Sequence, residues 1–268
     1  MTKPESAVFR LHEDPDLFRE AVNFTAAETT FLPRLIEKDY FCTVLLQYLT
    51  AADGDIVFKG GTCLAKVYAG FYRLSEDLDF VIPMPVDAPR SARSTRAVGM
   101  KEAVLQLPNR LGAFRLIEPL TGANNSTQYV AIVGYTSALS RQEEAIKIEV
   151  GLREPLLTPS YDGGARTILL DPISGKPMMP ALLLPCISWS EAMAEKLRAA
   201  MTRREAAIRD FFDIDYAVRK CDLKPQDAAV IGLLRQKLAV PGNDLIDLSG
   251  SRLAALRQQL EPRLKSVL

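Results

Sequence analysis

The sequence predicts a mixed α/β fold joined to a helical part, and three observations carry that prediction. Short apolar segments of strand length, bounded by glycine or polar turns, recur between Asp55 and Leu152. Apolar residues repeat with helical periodicity between Pro33 and Leu49. Beyond Pro185 the composition changes, and "SWSEAMAEKLRAAMTRREAAIRDFFDIDYAVRK" at 188–220 reads as strongly helical. The chain is therefore expected to divide into an α/β domain with N-terminal helices over 1–185 and a helical domain over 186–268. Its 268 residues suffice for one large domain or two modest ones.

The elements follow in order. After an acidic, weakly patterned beginning, Pro33 opens a helix with apolar residues at Leu35, Ile36, Tyr40, Phe41, Val44, Leu45, Tyr48 and Leu49. "DIVFKGG" predicts a short strand ending in glycine, "TCLAKVYAGF" a short helix and "LDFVI" a second strand. "QYVAIVGYTS" (128–137) and "AIKIEVGL" (145–152) are spaced as a hairpin, and "RTILL" (166–170) predicts a fifth strand. Between Pro155 and Pro185 lie six of the 17 prolines, so this segment reads as a surface connector. Two more helices are expected around 225–238 and 251–266.

Acidic and basic side chains balance at 33 each, so no overall field advertises nucleic acid or membrane, and attraction to a polyanion must come from a local patch. One candidate is Arg90 to Arg115, where Arg90, Arg93, Arg96, Lys101, Arg110 and Arg115 face the single acid Glu102. It reads either as a solvated loop or as a polyanion footprint. The beginning lacks a signal peptide's apolar core, and the longest apolar run, "MMPALLLPCISW", is broken by Pro180 and Pro185. Cys42, Cys63, Cys186 and Cys221 are scattered, and His12 is the single histidine, which speaks against disulfides or zinc. A cytoplasmic protein with no membrane partner is expected.

The chemistry concentrates in "FKGGTCLAKVYAGFYRLSEDLDF", 58–80. Side chains alternate faces along a strand, so Arg73, Ser75, Asp77 and Asp79 are expected on one face, with Leu74, Leu78 and Phe80 on the other. Glu76 then falls at the solvent-exposed start of that strand. Two carboxylates about 7 Å apart on one strand face suit hard divalent cations, which take oxygen ligands. The alternative is two solvated aspartates on an exposed edge. Gly60 and Gly61 allow a sharp turn and close approach to a ligand, and Thr62 is placed to cap the following helix and meet a phosphate oxygen. Alone, the glycine turn is a weak signal. Joined to the Asp-x-Asp pair, it makes a phosphate cradle facing a metal site, as phosphoryl or nucleotidyl transfer requires. Glu149, in mid-strand with Lys147, is either a third ligand or an exposed-face residue. Lys196, Arg203 and Asp210, spaced by seven, form a helical stripe with Arg209 and Asp213 beside it. By itself that stripe is a solvated face; beside a nucleotide cleft it becomes a triphosphate clamp.

Four blocks, "EKDY" (37–40), "KGGTCLAKVY", "RLSEDLDF" and "EKLRAAMTRREAAIRDFFDI" (195–214), resemble the AbiEii/AbiGii toxin family, minimal nucleotidyltransferases of the DNA polymerase β-like superfamily. The resemblance implies a polymerase-β-like core joined to a helical bundle, with a nucleoside triphosphate bound between them. Asp77 and Asp79 match the metal-binding pair, for Mg²⁺ or Mn²⁺. Gly60, Gly61 and Thr62 match the glycine turn, and Lys196 and Asp210 match the essential helical pair, with Arg203 and Asp213 as neighbours. Lys147 and Glu149 fall on a strand motif in which aspartate is usual at the position of Glu149. With Arg73 and Ser75 added from the shared face, the expected nucleotide-binding set is Gly60, Gly61, Thr62, Arg73, Ser75, Lys196 and Arg203. The expected catalytic set is Asp77, Asp79, Lys196 and Asp210, and the expected metal ligands are Asp77, Asp79 and Glu149. The implied activity is transfer of NMP from an NTP to the 3′ end of tRNA by a toxin paired with a winged-helix antitoxin. Transfer to a small molecule or protein, or nucleotide binding without turnover, are the alternatives.

Overall fold

The computed structural model describes residues 9–247, 249–265 and 268. Helix α1 (Pro15–Thr29) starts at a proline and is capped by the Asp14 carboxylate, which accepts from the Leu17 amide at 3.1 Å. It buries Phe18, Ala21, Val22 and Thr25, a helical stripe inside the segment read as weakly patterned. Helix α2 (Pro33–Ala52) is buried on nearly every side, so the polar Glu37, Lys38, Asp39 and Thr43 lie inside together with the apolar positions that marked it as a helix. Strand β1 (Val57–Lys59) runs into a short α-helix, α3 (Gly60–Cys63), which continues as one π-helical turn to Tyr68. Strand β2 (Leu78–Val81), helices α4 (Arg90–Arg96) and α5 (Val98–Arg110), and strands β3 (Phe114–Ala123), β4 (Gln128–Thr136), β5 (Glu143–Gly151), β6 (Tyr161–Ala165) and β7 (Leu182–Cys186) follow. The chain then leaves the sheet for α6 (Trp189–Thr202), α7 (Ile208–Lys220), α8 (Ala228–Ala239) and α9 (Gly250–Gln258). The far end of the helix expected at 251–266 lies outside the described residues.

Among the described residues seven strands form one mixed sheet in the order β3-β4-β5-β2-β1-β7-β6, parallel only where β2 meets β5 and β1 meets β7. Residues Glu37 to Asp39 tie α2 to three parts of the molecule. The Glu37 carboxylate accepts from the Ser137 hydroxyl and the Ala138 amide, each at 2.7 Å, at the tip of the β4–β5 hairpin. Lys38 donates to Glu76 at 2.8 Å, and Asp39 takes the fully buried Lys66 ammonium at 2.5 Å together with the Thr167 hydroxyl and the Ile168 amide. Glu76 is thus held by Lys38 and Arg34 rather than solvated at the start of a strand.

Several expectations change. Residues 166–170 form no strand beyond a single bridge at Leu170; the strands are β6 and β7, inside the supposed connector. β6 reads "YDGGA", a poor strand sequence, but a Cβ at Gly163 would stand 2.8 Å from both Cys186 Sγ and Val67 Cγ1, so packing dictates the glycine. β3 was missed because Glu118 and Pro119 interrupt its alternation, at the bulges where its register with β4 shifts. Residues 74–77 precede β2 and belong to no strand, so the expected strand face from Arg73 to Asp79 is strand only at Asp79.

The basic stretch is also not a loop but α4, α5 and the start of β3. Its charges are largely committed. Arg93 is buried and donates to the carbonyls of Leu152 (3.1 Å) and Val86 (2.7 Å); Arg96 pairs with Asp55, Arg115 pairs with Glu143, and Lys101 lies over the Tyr129 ring. Arg93→Ala, which strands two carbonyls, should cost about 1–3 kcal/mol in urea unfolding, whereas exposed Arg90→Ala should stay within about 0.5 kcal/mol. Equal, negligible losses would contradict the buried placement of Arg93.

Candidate active site

A row of charged residues crosses the middle of the sheet. Lys59 on β1 sits opposite Asp79 on β2, and Asp79 opposite Glu149 on β5. Register therefore puts the Asp79 and Glu149 side chains next to each other on one face, about 5 Å apart at the backbone. Lys147, two residues before Glu149 on the same face, lies 3.3 Å from Glu149 and 4.0 Å from Asp77. Burial and the neighbouring Glu149 charge push the Asp79 carboxyl up to about 6, against the pull of Lys59 and Lys147. Among the described residues the Asp79 carboxylate makes no hydrogen bond and no ion pair.

The glycine turn packs beneath this carboxylate. Gly60 has φ +77°, in the left-handed region, and a Cβ there would lie 2.1 Å from Asp79 Oδ2. At Gly61 a Cβ would meet Arg73 Nη2 at 2.8 Å and Ser75 Oγ at 3.1 Å. Thr62 is not the helix cap, because the helix begins two residues earlier, at Gly60. Its buried hydroxyl instead donates to the Asp77 carbonyl and fixes the start of the Asp-x-Asp segment.

The opposite wall is built by α6 and α7. Lys196 Nζ on α6 lies 3.0 Å from Asp210 Oδ1 and 2.8 Å from Asp213 Oδ2, both on α7. Arg73 grips Asp213 with two nitrogens, at 2.6 and 2.8 Å, and the Tyr72 hydroxyl donates to the same carboxylate at 2.6 Å. Burial alone would raise the Asp213 carboxyl, but Lys196 and Arg73 outweigh it and hold the group far below the usual carboxylate range. Arg203 Nε is 3.5 Å from Asp210 Oδ2, which is buried and has no hydrogen-bond partner. The stripe is thus not one helical face. Residues 203–207 break the helix, and packing of α7 on α6 brings Lys196 to Asp210 and Asp213.

Between the walls lies a cleft of about 580 Å³ lined by Gly61, Arg73, Ser75, Asp77, Asp79, Lys147, Glu149, Lys196, Arg203 and Asp210. Gly61, Asp79, Glu149, Lys196, Arg203 and Asp210 also line an adjoining chamber of about 180 Å³, which Gly60 reaches as well. Every expected site residue except Thr62 reaches one or both. Among the described residues no three acidic, histidine or cysteine side chains already converge as a closed metal cage. The donor set nevertheless fits a hard cation: Asp77, Asp79 and Glu149 line one cleft, and Lys147 pairs with Asp77 and Glu149, while among the described residues Asp79 has no ion pair.

Sequence reasoning missed several contributors. Gln128, Arg209, Gln259 and Arg263 line the larger chamber and Lys59, Glu195 and Arg198 the smaller, Arg209 having been noted only as a neighbour of the stripe. Glu195 bonds Lys59 at 2.9 Å and the buried Lys237 of α8 at 3.1 Å, joining β1 to the helices. Burial opposes its charge, but these two ammonium groups win and bring its carboxyl down to about 2. Adjacency of Lys59 to the glycines and of Glu195 to Lys196 was the available signal.

The sequence profile of the nucleotidyl transferase AbiEii toxin family, of type IV toxin–antitoxin systems, matches residues 44–267. The chain belongs to this family. It is thus a nucleotidyltransferase toxin, and the family description implies an NTP substrate and an antitoxin partner. Among solved structures the chain is similar to MenT4, a nucleotidyltransferase toxin from Mycobacterium tuberculosis H37Rv, at 19% identity over 92% of this chain and 91% of that one, with a TM-score of 0.40. It is also similar to JHP933 from Helicobacter pylori, at 19% identity over 92% and 94% of the two chains, with a TM-score of 0.43. No curated protein matches.

Proposed function

We propose that the cleft binds a nucleoside triphosphate together with Mg²⁺ or Mn²⁺ and transfers its nucleoside monophosphate to the 3′ end of tRNA, in the cytoplasm. The observation that carries this reading is the confrontation of Asp77, Asp79 and Glu149 with Lys196 and Arg203 across one polar cleft floored by Gly60 and Gly61. In the reaction an acceptor hydroxyl oxygen bonds the α-phosphorus and gives up its proton to solvent, the bond from that phosphorus to the bridging oxygen breaks, and pyrophosphate leaves. Asp77 and Asp79, with Glu149, are the residues that would hold the divalent cation, which when bound supplies charge neutralisation and Lewis acidity. Gly60 and Gly61 let the triphosphate approach the backbone closely, and Lys196 and Arg203 meet its charge. Asp210 orients Lys196, to which it is bonded. Arg73 acts through Asp213, which aims Lys196 from the other side.

In this reading the chain is the toxin of a pair with a winged-helix antitoxin, and it divides near Pro185 into a nucleotidyltransferase part and a helical part. Among the described residues no helix is long and apolar enough to cross a membrane. Because most of the 90–115 charges are internally committed, an RNA acceptor would draw chiefly on cations near the cleft, where Arg209 and Arg263 lie. The same commitment favours, as a second reading, a small-molecule or protein acceptor. Purified protein given each labelled NTP, Mg²⁺ and total tRNA should label the RNA. Label that appears only in a ribonuclease-treated extract, on a protein or small molecule, would establish the second reading in its place.

A further inference from the structure

We propose that Arg252 and Gln259, on the last helical segment, are positioning residues that hold open the break between α6 and α7 and so create the Lys196–Asp210 wall; this rests on the reading of the cleft as a nucleotide site. The break is not written into its own sequence. Residues 203–207 read Arg-Arg-Glu-Ala-Ala, with neither glycine nor proline, and such residues favour continuing the helix. A continuous helix would set Lys196 and Asp210, fourteen positions apart, about 21 Å from each other along its axis. Here they touch at 3.0 Å. Something outside the break must outweigh the helical hydrogen bonds forgone there.

The bonds that do so come from one direction. Arg252 Nη2 donates to the Ala200 carbonyl and Nη1 to the Arg203 carbonyl, both at 2.9 Å, which occupies one carbonyl of α6's last turn and that of its C-terminal cap residue. The Gln259 amide donates to the Ala206 carbonyl at 2.6 Å and accepts from the Ile208 amide at 2.9 Å. That amide opens α7, whose cap residue, Ala207, has no side chain to satisfy it. The Asp247 amide adds a bond to the Met201 carbonyl at 3.3 Å. Arg252 is almost completely buried, and among the described residues it makes no salt bridge, so its guanidinium serves backbone carbonyls. α9 thus supplies the caps that the break lacks, and the loop it fixes carries Arg203 and lines the cleft through Glu205, Ala206 and Ala207.

The test uses the full chain and two independent readings. In Gln259→Ala and Arg252→Ala, amide hydrogen exchange at 203–208 should quicken relative to the sheet, and the KM for NTP should rise about tenfold while kcat changes far less. Arg252→Lys, which keeps a donor at the carbonyls, should recover part of that loss. A merely structural role would lower the folded fraction, reducing apparent kcat at unchanged KM. Should Arg252→Ala fail to fold, Gln259→Ala and Arg252→Lys decide. Unchanged exchange at 203–208, or faster exchange with unchanged KM, overturns the proposal. If the parent binds no NTP in the presence of Mg²⁺, the reading of the cleft falls and this inference falls with it. Exchange that still quickens would then show the break held for another purpose.

Discussion

Lys196→Ala is expected to lower stability by about 3 kcal/mol and to impair NTP use severely. On a solvated stripe the loss of this lysine would leave the melting temperature almost unchanged; its ion pairs with the buried Asp210 and Asp213 make the loss costly. Removing the ammonium strands two buried carboxylates, of which Asp213 keeps Arg73 while Asp210 keeps only Arg203 at 3.5 Å. Adding Asp210→Asn should restore part of the stability, because it removes the orphaned charge, without restoring activity. The pH dependence has a definite sign. The folded Asp213 carboxyl is depressed, so its contribution is fully present above the unfolded value of about 4 and is lost as pH falls below it. Urea unfolding at pH 7 and pH 3 checks both points, and a loss below about 1 kcal/mol in Lys196→Ala at pH 7 would refute the buried clamp.

Asp79→Asn should do the opposite to stability while abolishing transfer. The folded Asp79 carboxyl is raised to about 6 from 3.8, so ionising it opposes folding. That cost is absent below about pH 4, grows as pH climbs through the interval, and is complete above about pH 6, at roughly 2–3 kcal/mol. The asparagine variant should therefore melt higher than the parent at pH 7.5 and equal it near pH 4. A divalent cation should stabilise the parent and leave the variant much less affected. A variant less stable than the parent at both pH values would mean that Asp79 has a partner the structure does not give it.

The pieces of this site were legible because each breaks a local rule. Adjacent glycines before a helix, two aspartates entering an apolar strand, and Glu149 and Lys147 among isoleucines all ask for an explanation that a core does not provide. Their assembly was not legible, since it depends on register and on tertiary bonds. Nothing local states that β2 and β5 run parallel with Asp79 facing Glu149, or that Lys59 and Glu195, 136 positions apart, are paired. The α6–α7 stretch shows the limit most clearly. Its helix-favouring sequence predicts a continuous helix, and the seven-residue spacing of Lys196, Arg203 and Asp210 picked out residues that do meet at the cleft, but for a geometric reason that the structure replaces. β6 and the 90–110 helices were hidden for a related reason: glycines that packing requires in one, arginines taken for a solvated loop in the other.

The central claim is that Asp77 and Asp79, facing Lys196 across the cleft, carry nucleotidyl transfer. Its most direct test compares NTP labelled at the α-phosphorus with NTP labelled at the γ-phosphorus, in the presence of Mg²⁺ and total cellular acceptor, for the parent and for Asp77→Asn. The account expects α-label on the acceptor, γ-label only in released pyrophosphate, and neither product from Asp77→Asn. Transfer of the γ-label, or undiminished α-transfer by Asp77→Asn, would contradict it.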